Sequence, residues 1–303
     1  MKKKEKMEKV FDTKTLTSNF STSCLKEYSN IKIGEEAKYL FIPHTFSDLN
    51  KIIKKAKKEN HEILPLGGCS NILFGNTRNR FLIHDQKLPK SLRINRNKVV
   101  VSANYYLNEF VQILQEHELG GLEFLYGIPA HLGGAVFMNA GAFGHNISEF
   151  VNWIEVMDKS GNIKIFEKDN LKFDYRKTSI NGSSINGFIL TVELDLKSKS
   201  KMEIDSDLKK YLSKRKERHP YNYPSLGSIF KNPEGKTAGK LIEECGLKGR
   251  NFGDAEISRK HANFIVNKGN ATFQNVIDLI KLCREKVYEK FQIKLETEIR
   301  VIN

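Results

Sequence analysis

Residues 120–144, GGLEFLYGIPAHLGGAVFMNAGAFG, constrain this chain more than any other stretch, because seven of the twenty-five positions are glycine and most of the others are apolar. A flexible linker carries its glycines among Ser and Asn. Glycine among Leu, Ile, Val and Phe marks backbone that approaches something closely or takes positive φ. A second glycine turn, GGCSN at 67–71, follows HEILPL, which reads as a short strand. Neither turn has the GxGxxG spacing of a strand–turn–helix dinucleotide site. Both offer backbone N–H donors and small side chains suited to a diphosphate or the edge of a flat ring. Tight packing is the competing explanation. It is favoured for Gly67-Gly68 taken alone, and a ligand is favoured for 120–144.

A third stretch, GSIFKNPEGKT at 227–237, ends like a phosphate loop. Such a loop needs glycine five positions before Gly235, where this chain has Phe230, so the ending is coincidental.

At 303 residues, 39% of them hydrophobic, the chain is long enough for two or three globular domains. No apolar run is long enough to cross a bilayer, and the basic start MKKKEKMEKV runs into polar sequence, so a cytoplasmic protein without a membrane role is expected. Cys24, Cys69, Cys245 and Cys283 form no CxxC or metal-knuckle spacing; they read as reduced thiols, with no metal site. The net charge of +14 invites a nucleic-acid reading. The charge is spread over the N-terminal tail, Lys51 to Lys58 and residues 209–219, with no interleaved aromatic motif or helix-turn-helix. Solvated helix faces are the better explanation, and anionic small molecules remain compatible with it.

Periodicity predicts helices over 47–60, capped by Ser47, over 107–118, 207–219 and 237–246, and over 272–291, capped by Thr272. Strands are expected at 98–103, 187–196 and 261–267, with a hairpin joining 151–158 to 162–168. The segment 293–302 alternates, placing Glu296, Glu298 and Arg300 on one face and Leu295, Thr297, Ile299 and Val301 on the other. The fold class is α+β with mixed sheets.

Six segments, LPLGGCSNILF, GLEFLYGIPAHLGGAVFMNAGAFG, YRKTSI, GSIFKNPEGKTAGKLIEECGLKG, KHANFIVN and LETEIRVI, resemble in order and spacing the UDP-N-acetylenolpyruvoylglucosamine reductase family. The likeness runs from about residue 30 onward. It implies an FAD-binding fold of the p-cresol methylhydroxylase type in two subdomains, about 30–90 and 91–200, followed by an α+β substrate domain at 201–303. Residues 1–29 would be a basic extension. It further implies non-covalent FAD, NADPH as co-substrate, and reduction of an enolpyruvyl UDP-sugar to UDP-N-acetylmuramate for peptidoglycan, with no nucleic-acid, membrane or obligate protein partner. Another FAD oxidoreductase of the same fold is the nearest alternative.

By motif, the resemblance places Gly67, Gly68, Cys69, Ser70 and Asn71 near the FAD diphosphate. Gly127, Ile128, Pro129, Ala130, Gly133, Gly134, Ala135, Asn139, Gly141 and Ala142 would lie along the rest of the cofactor. It makes Arg176, Ser228 and Glu298 catalytic. A guanidinium suits the charge that hydride addition pushes into the substrate carboxylate. A serine hydroxyl suits protonation of the resulting enolate carbon, with Glu298 orienting that network. Lys231, Asn232 and Arg300 become substrate ligands, and His261 a hydrogen-bonded structural residue. The chain departs from the family pattern at Glu35, Cys69, Ala130, His131, Thr178 and Ile180. A Cβ at 69 or 130 is expected to limit positive φ there.

Overall fold

A computed structural model describes residues 24–303; residues 1–23 of the expected extension lie outside the described residues. Leu25 and Ser29, at the end of that extension, are fully buried.

Three packed regions organise the chain, the first of them with hydrophobic clusters on both faces of its sheet. In the first, the helix Phe46–Lys58 buries Leu49, Ile52, Ile53 and Ala56 against a parallel sheet in which Arg80–His84 lies between Leu40–Phe41 and Glu62–Leu66. Its N-cap is Thr45 instead of Ser47: Thr45 is extended and its hydroxyl accepts from Asp48 N–H, which leaves Ser47 inside the first turn. Because Leu66 pairs with His84, Gly67 and Asp85 leave the sheet side by side. That carboxyl edge is where ligands bind in open parallel sheets.

The second core lies beneath a five-stranded antiparallel sheet ordered Ile163–Glu167, Val151–Asp158, Gly187–Asp195, Lys98–Ser102, Leu92–Asn95. Val99, Val101, Ile154, Val192 and Leu194 pack there with Phe110 and Leu114 of the helix Leu107–Glu116 and with Val136 of Leu132–Phe137. The helix Lys201–Arg218 begins at a Ser200 capping box, earlier than its apolar periodicity suggests, and sends Ile204 and Leu208 into the same core.

The third core joins an antiparallel sheet, ordered Ser225–Ser228, Phe264–Asn267, Ala255–Ile257, Asn251–Phe252, to the helices Ala238–Glu244 and Phe273–Phe291. The alternation expected over 293–302 is broken by a change of partner. Glu298 N–H donates to Ile229 O, whereas Arg300 N–H donates to Asn71 O and Arg300–Ile302 pairs in parallel with Ile72–Phe74. Ile299 and Ile302 are therefore buried and Val301 is exposed. Among the described residues no helix is long and apolar enough to cross a membrane.

Candidate active site

The three cores meet around a cavity of about 820 Å³, within the usual size for a small-molecule site. Its wall includes Gly67, Gly68, Ser70, Asn71, residues 127–130, 133–135, Gly141 and Ala142, together with Arg176, Ser228, Glu298 and Arg300. Most of the residues singled out from sequence are thus brought to one place from more than two hundred positions of chain.

One side of the cavity is main chain. None of the N–H groups of Gly67, Gly68, Cys69, Ser70 and Asn71 donates to an acceptor among the described residues. Backbone donors held beside a cavity require a partner, and a run of them is suited to a diphosphate. The glycines here are also needed for packing: a Cβ on Gly68 would lie 3.0 Å from Pro129 O, and one on Gly67 would lie 3.3 Å from His131 Cβ. The two glycine loops therefore stand back to back, so both explanations weighed for Gly67-Gly68 apply.

Four of the singled-out residues are not in the wall. Cys69 is buried and sits at φ +48, so a Cβ did not keep position 69 out of the left-handed region; its thiol donates to Gly67 O. Burial first, then the Asp85 charge, pushes that thiol up to about 12, so it is inert as a nucleophile. Asn139 is buried, and its amide donates to Asp174 O, tying the glycine segment to the hairpin that carries Arg176. Lys231 pairs with Glu296 at 3.3 Å, and the Asn232 side chain accepts from Ala238 N–H. Among the departures, Ala130 has no positive φ and so loses nothing by its methyl, while Thr178 is buried and donates to Val136 O.

The other side is built from side chains. Asp174 pairs with Lys177, making Tyr175-Arg176 the tip of a hairpin, and Arg176 holds φ +58 there. Left-handed backbone in a non-glycine residue costs about 1 kcal/mol or more and persists only where surroundings over-determine it. Here Arg176 Nε donates to Glu298 Oε1 at 2.9 Å. Burial raises the Glu298 pKa against the opposing pull of Arg176, so this carboxyl holds a proton more readily than an exposed one. Gly227, at φ +77, turns the end of its strand so that Ser228 faces the cavity. Buried Asn263 fixes the next residues: its side chain accepts from Phe230 N–H and donates to Phe230 O.

The wall carries Lys159, Arg176, Arg215, Arg218 and Arg300 against Glu62, Asp85 and Glu298, an excess of cations that suits an anionic ligand. Arg300 lies over the Phe137 ring at 5.1 Å, and burial lowers its pKa. Arg215, Asp85 and His131, which line the cavity, were not assigned to the site from sequence, nor was Asn263 behind its wall. Arg215 had a readable signal: it shares the inward stripe of its helix with Ile204 and Leu208.

Residues 37–167 match an FAD binding domain, and residues 219–302 match the UDP-N-acetylenolpyruvoylglucosamine reductase C-terminal domain. Over 284 residues the chain is 38% identical to the UDP-N-acetylenolpyruvoylglucosamine reductase of Fusobacterium nucleatum, spanning 93% of this chain and 99% of that relative. The chain belongs to the UDP-N-acetylenolpyruvoylglucosamine reductase family. A family member from Thermotoga sp. is 37% identical over 303 residues, 97% of this chain and 98% of its own. The crystal structure of UDP-N-acetylenolpyruvylglucosamine reductase from Thermus caldophilus is 32% identical and matches with a TM-score of 0.77, covering 93% of this chain and 98% of that one. The family and the flavin-binding α+β fold expected from the motifs are both borne out. The stretch between the two matched segments carries the Arg176 hairpin and the helix bearing Arg215, and these line the cavity together with residues of both segments.

Proposed function

We propose that this chain is the FAD-dependent reductase that uses NADPH to convert UDP-N-acetylglucosamine enolpyruvate to UDP-N-acetylmuramate, a cytoplasmic step in making peptidoglycan precursors. The observation that carries the reading is the single cavity with unpartnered N–H groups on one side and Arg176, Glu298 and Ser228 on the other. Family membership supplies the substrate. Flavin binding is assigned to residues 30–200, in two subdomains divided near residue 90, and substrate binding to 201–303, with the helix Lys201–Arg218 seated on the flavin side.

The residues present fit FAD. Backbone donors of Gly67, Gly68, Ser70 and Asn71 in a positive wall, with glycine at 67 and 68 allowing the two loops to touch, suit a dinucleotide diphosphate. The chemistry supplied with FAD bound is hydride transfer from NADPH to the terminal enolpyruvyl carbon. Arg176 neutralises the charge that develops on the substrate carboxylate. Glu298 holds Arg176 through Nε, leaving both Nη groups for substrate. The Ser228 hydroxyl, which hydrogen-bonds to nothing among the described residues, delivers its proton to the enolate carbon. Arg300 attracts the anionic part of the substrate, and Lys231 and Asn232, outside the wall, take its outer end.

NADPH oxidation measured with and without the enolpyruvyl UDP-sugar tests the reading. Oxidation that does not depend on that substrate rejects it.

A further inference from the structure

Asp85 and His131 take no part in the chemistry above. The two residues come from different cores. Asp85 follows the strand Arg80–His84, beside the start of the 67–71 loop. His131 belongs to the other glycine segment, where it bridges to Tyr106 and is followed by Leu132, whose N–H donates to Tyr105 O. Its ring is fully buried, with Nδ1 2.7 Å from Asp85 Oδ1 and Gly67 packed on its Cβ. Asn104, near Leu107 of the second core, donates to the Asp85 carbonyl at 3.2 Å and to Leu88 O at 2.8 Å. Asp85 is thus gripped by the second core at both its carboxylate and its main chain.

The surroundings leave this contact undivided. His84 Nδ1 lies 3.7 Å from the same carboxylate oxygen, too far for a hydrogen bond, and accepts from Gln86 N–H instead. The Tyr106 ring meets the His131 ring edge-on at 4.3 Å, and the Cys69 thiol is engaged within its own loop. Among the described residues His131 is the one side chain hydrogen-bonded to the Asp85 carboxylate, and its Nε2 is buried without a partner.

We propose that Asp85 and His131 form a latch that holds the two glycine loops in register for the diphosphate of FAD, so that flavin affinity depends on this pair. The inference rests on the flavin reading above. Both are positioning residues. The free N–H groups along 67–71 can converge on an anion only if their loop is fixed against the loop behind it, and ordering the loops in advance removes that cost from binding. A buried donor left without its acceptor also disfavours the closed arrangement.

The test is FAD uptake by the apoprotein, followed by quenching of flavin fluorescence. Wild type is compared with Asp85→Asn, His131→Leu, their double variant, and His131→Asn, whose amide N–H falls near the Nδ1 position. Asp85→Asn and His131→Leu should each raise the Kd for FAD about tenfold or more, and the double variant should bind no worse than the weaker single one. His131→Asn should recover part of the loss. Kd values within about twofold of wild type for both single variants, or losses that multiply in the double, overturn the latch. If His131→Leu does not fold, Asp85→Asn and His131→Asn decide by the same measure. Wild-type protein that takes up no FAD instead sinks the flavin reading itself.

Discussion

The two sides of the cavity are made of different material. The side formed by the glycine loops presents main-chain N–H groups, whereas the opposite side presents Arg176, Ser228, Glu298 and Arg300 from elements far apart in sequence. Main chain binds without regard to side-chain identity, provided its path is kept. That explains how the side chains of Cys69 and Ala130 are accommodated in the two glycine loops: one takes a left-handed conformation and the other needs none. A side-chain site has no such latitude, because each functional group exists once.

The sharpest test of that contrast is Ser228→Ala, which should leave reduction of bound flavin by NADPH intact while slowing reoxidation by the UDP-sugar about 10²–10⁴-fold. Stopped-flow flavin absorbance separates the two half-reactions, and normal reoxidation would show that Ser228 is not the proton donor. On the main-chain side the next largest effect is expected from acid. Burial lowers His84, directly before Asp85, from 6.5 to about 4. A folded-state pKa below the unfolded value means that unfolding takes up protons, so this stability is complete above pH 6.5 and is lost as the pH falls toward 4. The amount is roughly 3 kcal/mol. Chemical denaturation from pH 7 to 4 should show that slope, and His84→Gln should flatten it.

Smaller effects come from the loop path. Gly68→Ala drives a methyl to 3.0 Å from Pro129 O, so it should destabilise the protein by about 1–3 kcal/mol and weaken FAD binding. Cys69→Gly should do neither: relief of the left-handed strain offsets the lost thiol packing, leaving the unfolding free energy within about 1 kcal/mol of wild type. If position 69 proved as sensitive as position 68, the main-chain side would not be indifferent to its side chains.

Much of this was legible in the sequence. Glycine among apolar residues at 120–144 pointed to a cavity wall, although the free N–H groups belong to 67–71, where the sequence favours packing for Gly67-Gly68, and the helix over 273–291 announced itself through Thr272 and its apolar stripe. What escaped depended on partners far away. Ser47 looked like a cap, but Thr45 had the extended backbone that a cap needs. Arg215 was hidden in a basic run because charge suggests solvent, yet its guanidinium is buried and donates to Phe124 O. The bend at Glu298 arises from a switch between Ile229 and Asn71 as acceptors, which no local periodicity records. Asp85 and His131, forty-six positions apart, carry no shared motif.

The Asn71 amide donates to Glu298 O across 227 residues of sequence, and Arg300 closes the same junction. During synthesis the glycine loop is therefore made early but stays open along one side until the segment bearing Glu298 and Arg300 has emerged. Contacts of that separation form late because the loop they close is long. The two sides of the cavity then reach their final form in a single closing event, so a newly made chain cannot complete the glycine-loop side before Glu298 and Arg300 are in place.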